Sequence, residues 1–154
     1  MRISIFILPF LISGCTGLAS SVDDLHANSY KPLEYKSERS PVETYEYLKD
    51  KMTNCYEYHG SLTTAVPVSG IFITNSVKSG TFVEGRMLSN DSYEISLSQE
   101  VGAQPRGYME VVDIRKSKSY TSVTVYPLNR FWVRHAERIE TWLAGGEITD
   151  CKLW

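Results

Sequence analysis

Hydrophobic residues recur every three or four positions in a segment that begins near residue 40. Ser40 suits a helix N-cap, Pro41 suits the first helical position, and Glu43 can return a hydrogen bond to the cap. A helix with this spacing places its apolar stripe on one side and its charged residues on the other. The stripe consists of Tyr45, Leu48, Met52 and Cys55. The pattern predicts a first helix from Pro41 to Cys55 that packs on a core.

After Gly60 the spacing changes to every second residue, most clearly where Tyr93, Ile95 and Leu97 alternate with polar residues. This alternation is typical of strands with one face in contact with water. Strands are predicted over residues 66–74, 81–88, 93–97, 108–114 and 120–126, with turns over 75–80, 89–92, 101–107 and 115–119. Because the connections are short, they favour an antiparallel meander of four or five strands.

Helical spacing returns after the last predicted strand. Asn129 can cap a second helix that continues to Leu143, and Gly145 and Gly146 form its stop signal. The order of helix, meander and helix predicts an α+β fold, specifically a two-layer sandwich formed by residues 40–154 as a single domain.

The segment before the first helix shows no sustained period. Residues 20–39 are rich in polar and charged side chains, and Pro32 interrupts them. We therefore predict that residues 15–39 form an anchor followed by a flexible tether.

The first residues have the composition of an export signal. Met1 and Arg2 provide a positive start, and residues 3–12 are almost wholly apolar. A helix that spans a bilayer needs about 20 apolar residues, so this run is too short for a permanent span. Cleavage of residues 1–14 as a signal peptide is the better interpretation.

The sequence Ile12-Ser13-Gly14-Cys15 resembles the lipobox of bacterial lipoproteins. The resemblance covers only the first fifteen to twenty residues. It implies cleavage between Gly14 and Cys15, a diacylglycerol thioether on Cys15, and a further acyl chain, such as palmitate, on the new amino group. Three acyl chains would hold the chain on a membrane far better than one. In lipoproteins of Gram-negative bacteria, a residue other than Asp after the cysteine, here Thr16, implies the outer membrane with the body in the periplasm.

Other interpretations of the leader stay open. The small residues around Ala19 also suit an ordinary secretory cleavage, which would release the protein, and exposure at the cell surface is compatible with the lipobox. A buried Cys15 in an N-terminal helix is disfavoured, because Pro9 inside that helix would cost about 3 kcal/mol.

With Cys15 assigned to lipid, Cys55 and Cys151 form an even pair in an exported chain. A disulfide bond between them is the natural expectation, with two unpaired buried thiols as the alternative. Closing a loop of this size would stabilise the fold by roughly 4 to 5 kcal/mol in the chain-entropy model.

Candidate chemistry is sparse. Sixteen basic against eighteen acidic residues give a net charge of −2, which provides no field for nucleic acid. His26, His59 and His135 are scattered, so we predict no metal site, and no motif indicates a cofactor or an enzyme. His135 lies on the apolar stripe of the second helix and is expected in the core, His59 in a turn, and residues 115–118 in a solvated basic turn. A carboxylate pair such as Glu84 and Glu94 stays open as a hydrolytic alternative.

The sequence therefore favours a non-enzymatic, membrane-anchored envelope lipoprotein that docks onto another envelope protein or assembly. It predicts that an exposed apolar patch or an open sheet edge forms the docking surface. Two alternatives stay open: a periplasmic module that binds a lipid, glycan or small molecule, and an enzyme that acts on envelope polymers.

Overall fold

The computed structural model describes residues 17–68 and 71–151. Within these ranges the chain forms three helices and one open, antiparallel six-stranded sheet, so the predicted α+β class is confirmed. In chain order the elements are α1 (Val22–Asn28), β1 (Leu33–Ser37), α2 (Pro41–Tyr56), β2 (Tyr58–Val68), β3 (Ile71–Ser89), β4 (Ser92–Val101), β5 (Gly107–Lys116), β6 (Thr121–Pro127) and α3 (Arg130–Leu143).

The strands lie in the order β1-β6-β5-β4-β3-β2, and every neighbouring pair is antiparallel. Strands β2 to β6 form the predicted meander, and β1 joins its far side by pairing with β6. The expected four or five strands are therefore six.

The prediction of a flexible tether was wrong for most of residues 20–39. Ser21 caps α1 by accepting a hydrogen bond from the Asp24 N–H, and Leu25 is fully buried. Strand β1 pairs with β6 from Leu33 opposite Val125 to Ser37 opposite Thr121. Elements of seven and five residues are too short to show a clear period, and tertiary packing supplies their order.

The prediction of one strand over residues 66–74 was also wrong. Residues 66–68 belong to β2 and residues 71–74 to β3, and Val68 and Ile71 are antiparallel partners. Strand β3 then runs without interruption through the predicted turn at 75–80, because its pairing with β2 overrides the local turn preference of Asn75 and Gly80.

Both predicted long helices are confirmed, with their caps. The Ser40 Oγ accepts a hydrogen bond from the Glu43 N–H, and the Glu43 Oε2 accepts one from the Ser40 N–H, 2.9 Å away. The Asn129 Oδ1 accepts hydrogen bonds from the N–H groups of Phe131 and Trp132. Helix α3 ends before Gly145, whose φ of +80° is a conformation that favours glycine.

The main core lies between one sheet face and helices α2 and α3. A bulge at Met109 places Leu97 opposite Glu110 and Ser98 opposite Tyr108, so Glu110 has the same parity as the core residues Val112 and Ile114. On the opposite face, Leu25 of α1 packs with Ala19 and Val111. The predicted two-layer arrangement therefore describes only the side that α2 and α3 cover.

Among the described residues, no helix has the length and apolar character needed to cross a bilayer.

Candidate functional site

The predicted cysteine pair forms a disulfide bond. It joins Cys55, in the last turn of α2, to Cys151, beyond the end of α3. The Lys51 ammonium binds the Glu147 carboxylate in the same region at 2.8 Å. The C-terminal tail is thus held against α2 at two points.

The predicted lipidation and cleavage residues, Cys15 and Gly14, lie outside the described part of the chain. The described chain starts at Gly17, and Leu18 lies against Gly107 so closely that a side chain at Gly107 would collide with it. Ala19 and Tyr108 exchange two backbone hydrogen bonds, with N···O distances of 3.2 and 2.8 Å. The segment that follows the predicted anchor is therefore attached to the start of β5.

A groove of about 630 Å³ lies between β1 and α3. Residues of both elements and of the β1–α2 connection line it: Tyr35, Lys36, Glu38, Arg39, Glu140, Leu143 and Ala144. Burial, aided by the negative charges of Glu140 and Glu137, raises the pKa of Tyr35 to about 12, so its hydroxyl stays protonated and can donate a hydrogen bond. The groove thus offers an apolar wall, a phenol and charges of both signs.

The groove is held in shape by the residue at its end, Arg39. Its carbonyl oxygen accepts hydrogen bonds from the hydroxyls of Thr121, at 2.7 Å, and Thr44, at 3.4 Å. Its guanidinium group lies 4.2 Å from the ring centre of Tyr47. The backbone of Arg39 is thus held by two hydrogen bonds, and its side chain is held by a cation–π contact with Tyr47.

The outer edge of β1 borders this groove. Strand β1 pairs with β6 on one side, and within residues 17–68 and 71–151 no strand pairs with its other side. Such an edge leaves backbone N–H and C=O groups ready to bind an extended segment. An open sheet edge is one of the two docking surfaces that the sequence predicts.

A polar cluster lies on the opposite sheet face, beneath α1. The ligand atoms of His26, Glu94 and Asp113 lie within 4.8 Å of one another, and both carboxylates are nearly inaccessible to solvent. Arg86 binds Glu94 through two hydrogen bonds of 2.7 and 3.1 Å, and Arg115 binds Asp113 at 2.8 Å. These three side chains offer a set of donor atoms for a metal ion, but the two guanidinium groups already balance both carboxylates.

The two carboxylates considered for hydrolysis each bind a different arginine. Glu84 forms an ion pair with Arg106 at 2.7 Å, whereas Glu94 is held by Arg86. Arg106 also lies over the ring of Phe82, beside a second groove of about 410 Å³ that includes His59. His59 lies in strand β2 and not in the predicted turn, with its Nε2 3.0 Å from Glu57. These contacts give both carboxylates a cationic partner.

Two buried ionisable groups lie in the main core. Neither carboxylate oxygen of Glu110 has a hydrogen-bond partner, and burial raises its pKa to about 8, against the opposing charge of Arg138. His135 is buried as predicted, 4.7 Å from the Trp132 ring, but its Nδ1 has no hydrogen-bond partner. Burial lowers the pKa of His135 to about 4. Both groups are therefore held in the uncharged form near neutral pH.

The predicted basic turn at residues 115–118 was wrong for its first half. Arg115 and Lys116 are the last residues of β5, and residues 117–120 connect β5 to β6. Arg115 binds Asp113, and Lys116 lies 3.7 Å from Asp91. Both side chains are largely exposed, as predicted, but at the end of a strand.

Sequence reasoning missed the groove because it placed Tyr35 and Arg39 in a tether. A signal was present, since Leu33 and Tyr35 alternate with Glu34 and Lys36. No comparable signal connects His26 to Asp113, which is 87 residues away along the chain.

Comparisons with models of known protein families, with curated proteins and with solved structures find no match for this chain.

Proposed function

We propose that this protein is a non-enzymatic lipoprotein of the bacterial envelope, anchored through acyl chains on Cys15, whose body docks onto another envelope protein. The lipobox-like sequence supports the anchor, and Thr16 supports an outer-membrane location with the body in the periplasm. The docking surface is the free edge of β1 together with the groove between β1 and α3.

The observation that carries this proposal is the position of the groove beside the open edge of β1. When an extended segment adds to a sheet edge, its backbone hydrogen bonds provide affinity, and pockets for its alternate side chains provide specificity. The free edge offers the five residues Leu33–Ser37, and the groove offers Leu143 and Tyr35 beside the charges of Arg39 and Glu140. A partner segment of similar length would fit this arrangement.

The acidic residues of the sheet support a non-enzymatic role. A general acid or base must be free to exchange a proton with a substrate. Glu84, Glu94 and Asp113 are each bound by an arginine, and Glu110 lies in the core away from solvent.

Mass spectrometry of the N-terminal peptide tests the anchor. In the mature protein we expect Cys15 as the first residue, with the added mass of a diacylglycerol and an amide-linked acyl chain. Cys15→Ala should abolish both the added mass and the membrane fractionation. An unmodified N-terminus after Ala19 would instead indicate ordinary secretion.

Photocrosslinking tests the docking surface. A photoreactive amino acid at Lys36, in the groove lining, should crosslink to one envelope protein in intact cells. Ala144→Trp should fill the groove and abolish this crosslink, whereas Ala27→Trp, at an equally exposed position on α1, should leave it unchanged. A crosslink that survives Ala144→Trp would contradict docking in this groove.

A second candidate function is the binding of a lipid, glycan or small molecule, because the groove volume lies within the usual range of ligand sites. Native mass spectrometry of protein purified from its own host distinguishes the two functions. A bound small molecule that Ala144→Trp displaces would favour the second.

A further inference from the structure

Strands β2 and β3 extend beyond the rest of the sheet. The pairing of β3 with β4 begins at Ser79 opposite Val101, and the eight residue pairs from Ser61–Lys78 to Val68–Ile71 join β2 and β3 alone. We call residues 61–68 and 71–78 the β2–β3 arm. Two strands without further support are only marginally stable in water, so an arm of this kind gains from a surface that covers it.

The arm differs from the rest of the chain in its chemistry. No Asp, Glu, Lys or Arg occurs between residues 60 and 77, although these four types make up 22% of the sequence. Six of the nine residues from 65 to 73 are Ala, Val, Ile or Phe. Ala65 and Pro67 are exposed, and 70% of the Ile71 surface is accessible. A segment whose sequence is uncharged and largely apolar, and which exposes Ala65, Pro67 and Ile71, is typical of a contact surface.

The arm leaves the sheet at the end where the N-terminal segment is attached. The Gly102 N–H donates a hydrogen bond to the Lys78 carbonyl oxygen, so the β4–β5 turn lies at the base of the arm. At the other side of that turn, Leu18 contacts Gly107 and Ala19 pairs with Tyr108. Gly17 and the base of the arm therefore share one end of the molecule.

The length of the intervening chain limits the distance between an anchored Cys15 and the end of the molecule that carries Gly17. Cys15 precedes Gly17 by two residues, which span at most about 7 Å. The eight pairs of the arm extend roughly 26 Å at the usual rise of a strand. The arm is several times longer than the chain available to hold it away from the membrane.

We infer that the β2–β3 arm contacts the lipid bilayer into which the acyl chains of Cys15 insert. This inference rests on the lipid anchor of the proposed function. Within the described part of the chain, neither outer edge of the arm pairs with a further strand, so its backbone groups need water. The arm therefore lies along the headgroup region and does not enter the hydrocarbon core. Lys78 at the base of the arm is exposed, and a cation at this position would be attracted to anionic headgroups. The lipid and the arm together give the body two contacts with one membrane.

A fluorescent probe on the arm tests this contact. With Cys15 lipidated and Cys55 bonded to Cys151, Thr74→Cys introduces a single thiol that takes an environment-sensitive dye. Met87→Cys, at an equally exposed position near the other end of β3, is the matched control. The labelled lipoprotein is inserted into vesicles of phosphatidylethanolamine and phosphatidylglycerol, some of which carry a nitroxide on the lipid headgroup.

We expect the nitroxide to quench the dye at residue 74 strongly and the dye at residue 87 weakly. Ile71→Asp should reduce the quenching at residue 74 severalfold, whereas Met87→Asp should leave it unchanged. Equal quenching at the two positions in a lipidated protein would overturn the inference and leave the anchor intact. The mass of the N-terminal peptide in the same sample reports the anchor separately, and an unlipidated chain would overturn both.

Two further outcomes identify a different occupant and also overturn the inference. The environment-sensitive dye at residue 74 also reports whether that position is shielded from water. Shielding that disappears when the protein is diluted in lipid would indicate a second copy of this chain. Shielding that occurs in native membranes but not in pure lipid vesicles would indicate a protein partner.

Discussion

The His26 Nε2 lies 3.3 Å from the Asp113 Oδ1, and this contact joins α1 to β5 across 87 residues of sequence. The same ring packs edge-on against Tyr126 of β6, with ring centres 4.5 Å apart. A segment that looks like a solvated linker in the sequence is thereby fixed to the sheet by one polar and one aromatic contact.

His26→Ala should loosen α1 without unfolding the body. Loss of one partly buried hydrogen bond costs about 1 kcal/mol, and Asp113 keeps its ion pair with Arg115. Hydrogen exchange should therefore accelerate over residues 22–28 and stay unchanged in β5. His59→Ala removes a comparable contact at an exposed site and should leave α1 unaffected. Unchanged exchange over residues 22–28 would show that the contact does not hold the helix.

Removal of the disulfide bond should destabilise the fold strongly. The double variant Cys55→Ser, Cys151→Ser releases a loop of 96 residues of sequence separation. The expected loss is up to about 4 to 5 kcal/mol, measured from the midpoint of urea unfolding. Glu147→Gln breaks the neighbouring exposed ion pair with Lys51 and should have a much smaller effect, because solvent screens an exposed pair. A loss for the double variant no larger than the small one for Glu147→Gln would mean that the disulfide bond contributes little to stability.

Glu110 should make the protein less stable as the pH rises from 6.5 to 8. Its pKa rises from 4.5 to about 8 on folding, so the folded state holds a proton that the unfolded state loses. His135 acts in the opposite direction, because its pKa falls from 6.5 to about 4, and its contribution is lost as the pH falls through that range. Between pH 4.5 and 6.5 the two effects oppose each other, and above 6.5 that of Glu110 dominates.

Glu110→Gln should therefore flatten the loss of stability between pH 6.5 and 8, which amounts to at most about 2 kcal/mol. Urea unfolding at pH 6.5, 7 and 8 measures it. Glu137→Gln, at an exposed site on α3, is the control and should keep the full slope. If the unfolding free energy of Glu110→Gln still falls as the pH rises, another group must cause the pH dependence.

Ser40→Ala should reduce stability by about 1 kcal/mol, because the Ser40 Oγ caps α2 by accepting a hydrogen bond from the Glu43 N–H and also donates one to the Glu43 Oε2. Thermal unfolding measures the change. Ser119→Ala, in the exposed β5–β6 turn, should have little effect. If Ser119→Ala reduces stability as much as Ser40→Ala does, the effect of Ser40→Ala cannot be attributed to the helix cap.

The parts of the fold that could be predicted are those whose signals are local. Ser40, Pro41 and Glu43 lie within one turn of the helix they start, and Asn129 lies next to the helix it caps. The disulfide bond could be predicted by counting cysteines, since only Cys55 and Cys151 were left after Cys15 was assigned.

The parts that could not be predicted depend on contacts between distant residues. Leu25 is fully buried only because Val111 and Ala19 meet it, and β1 exists only because β6 lies beside it. The groove combines Tyr35 with Glu140, so no local pattern contains it. Glu110 is equally hidden, because a single acidic residue in an apolar run shows neither its burial nor the bulge at Met109.

The attachment of Ala19 to Tyr108 has a mechanical consequence. For a chain held at Cys15, any pull between the membrane and the body is transmitted through the two backbone hydrogen bonds of this pair. Behind them lie α1 and β1, whereas the disulfide bond holds only the other end of the chain. Tension would therefore detach α1 and then β1 from the sheet. Their detachment would lengthen the connection to the membrane before the main core was disturbed.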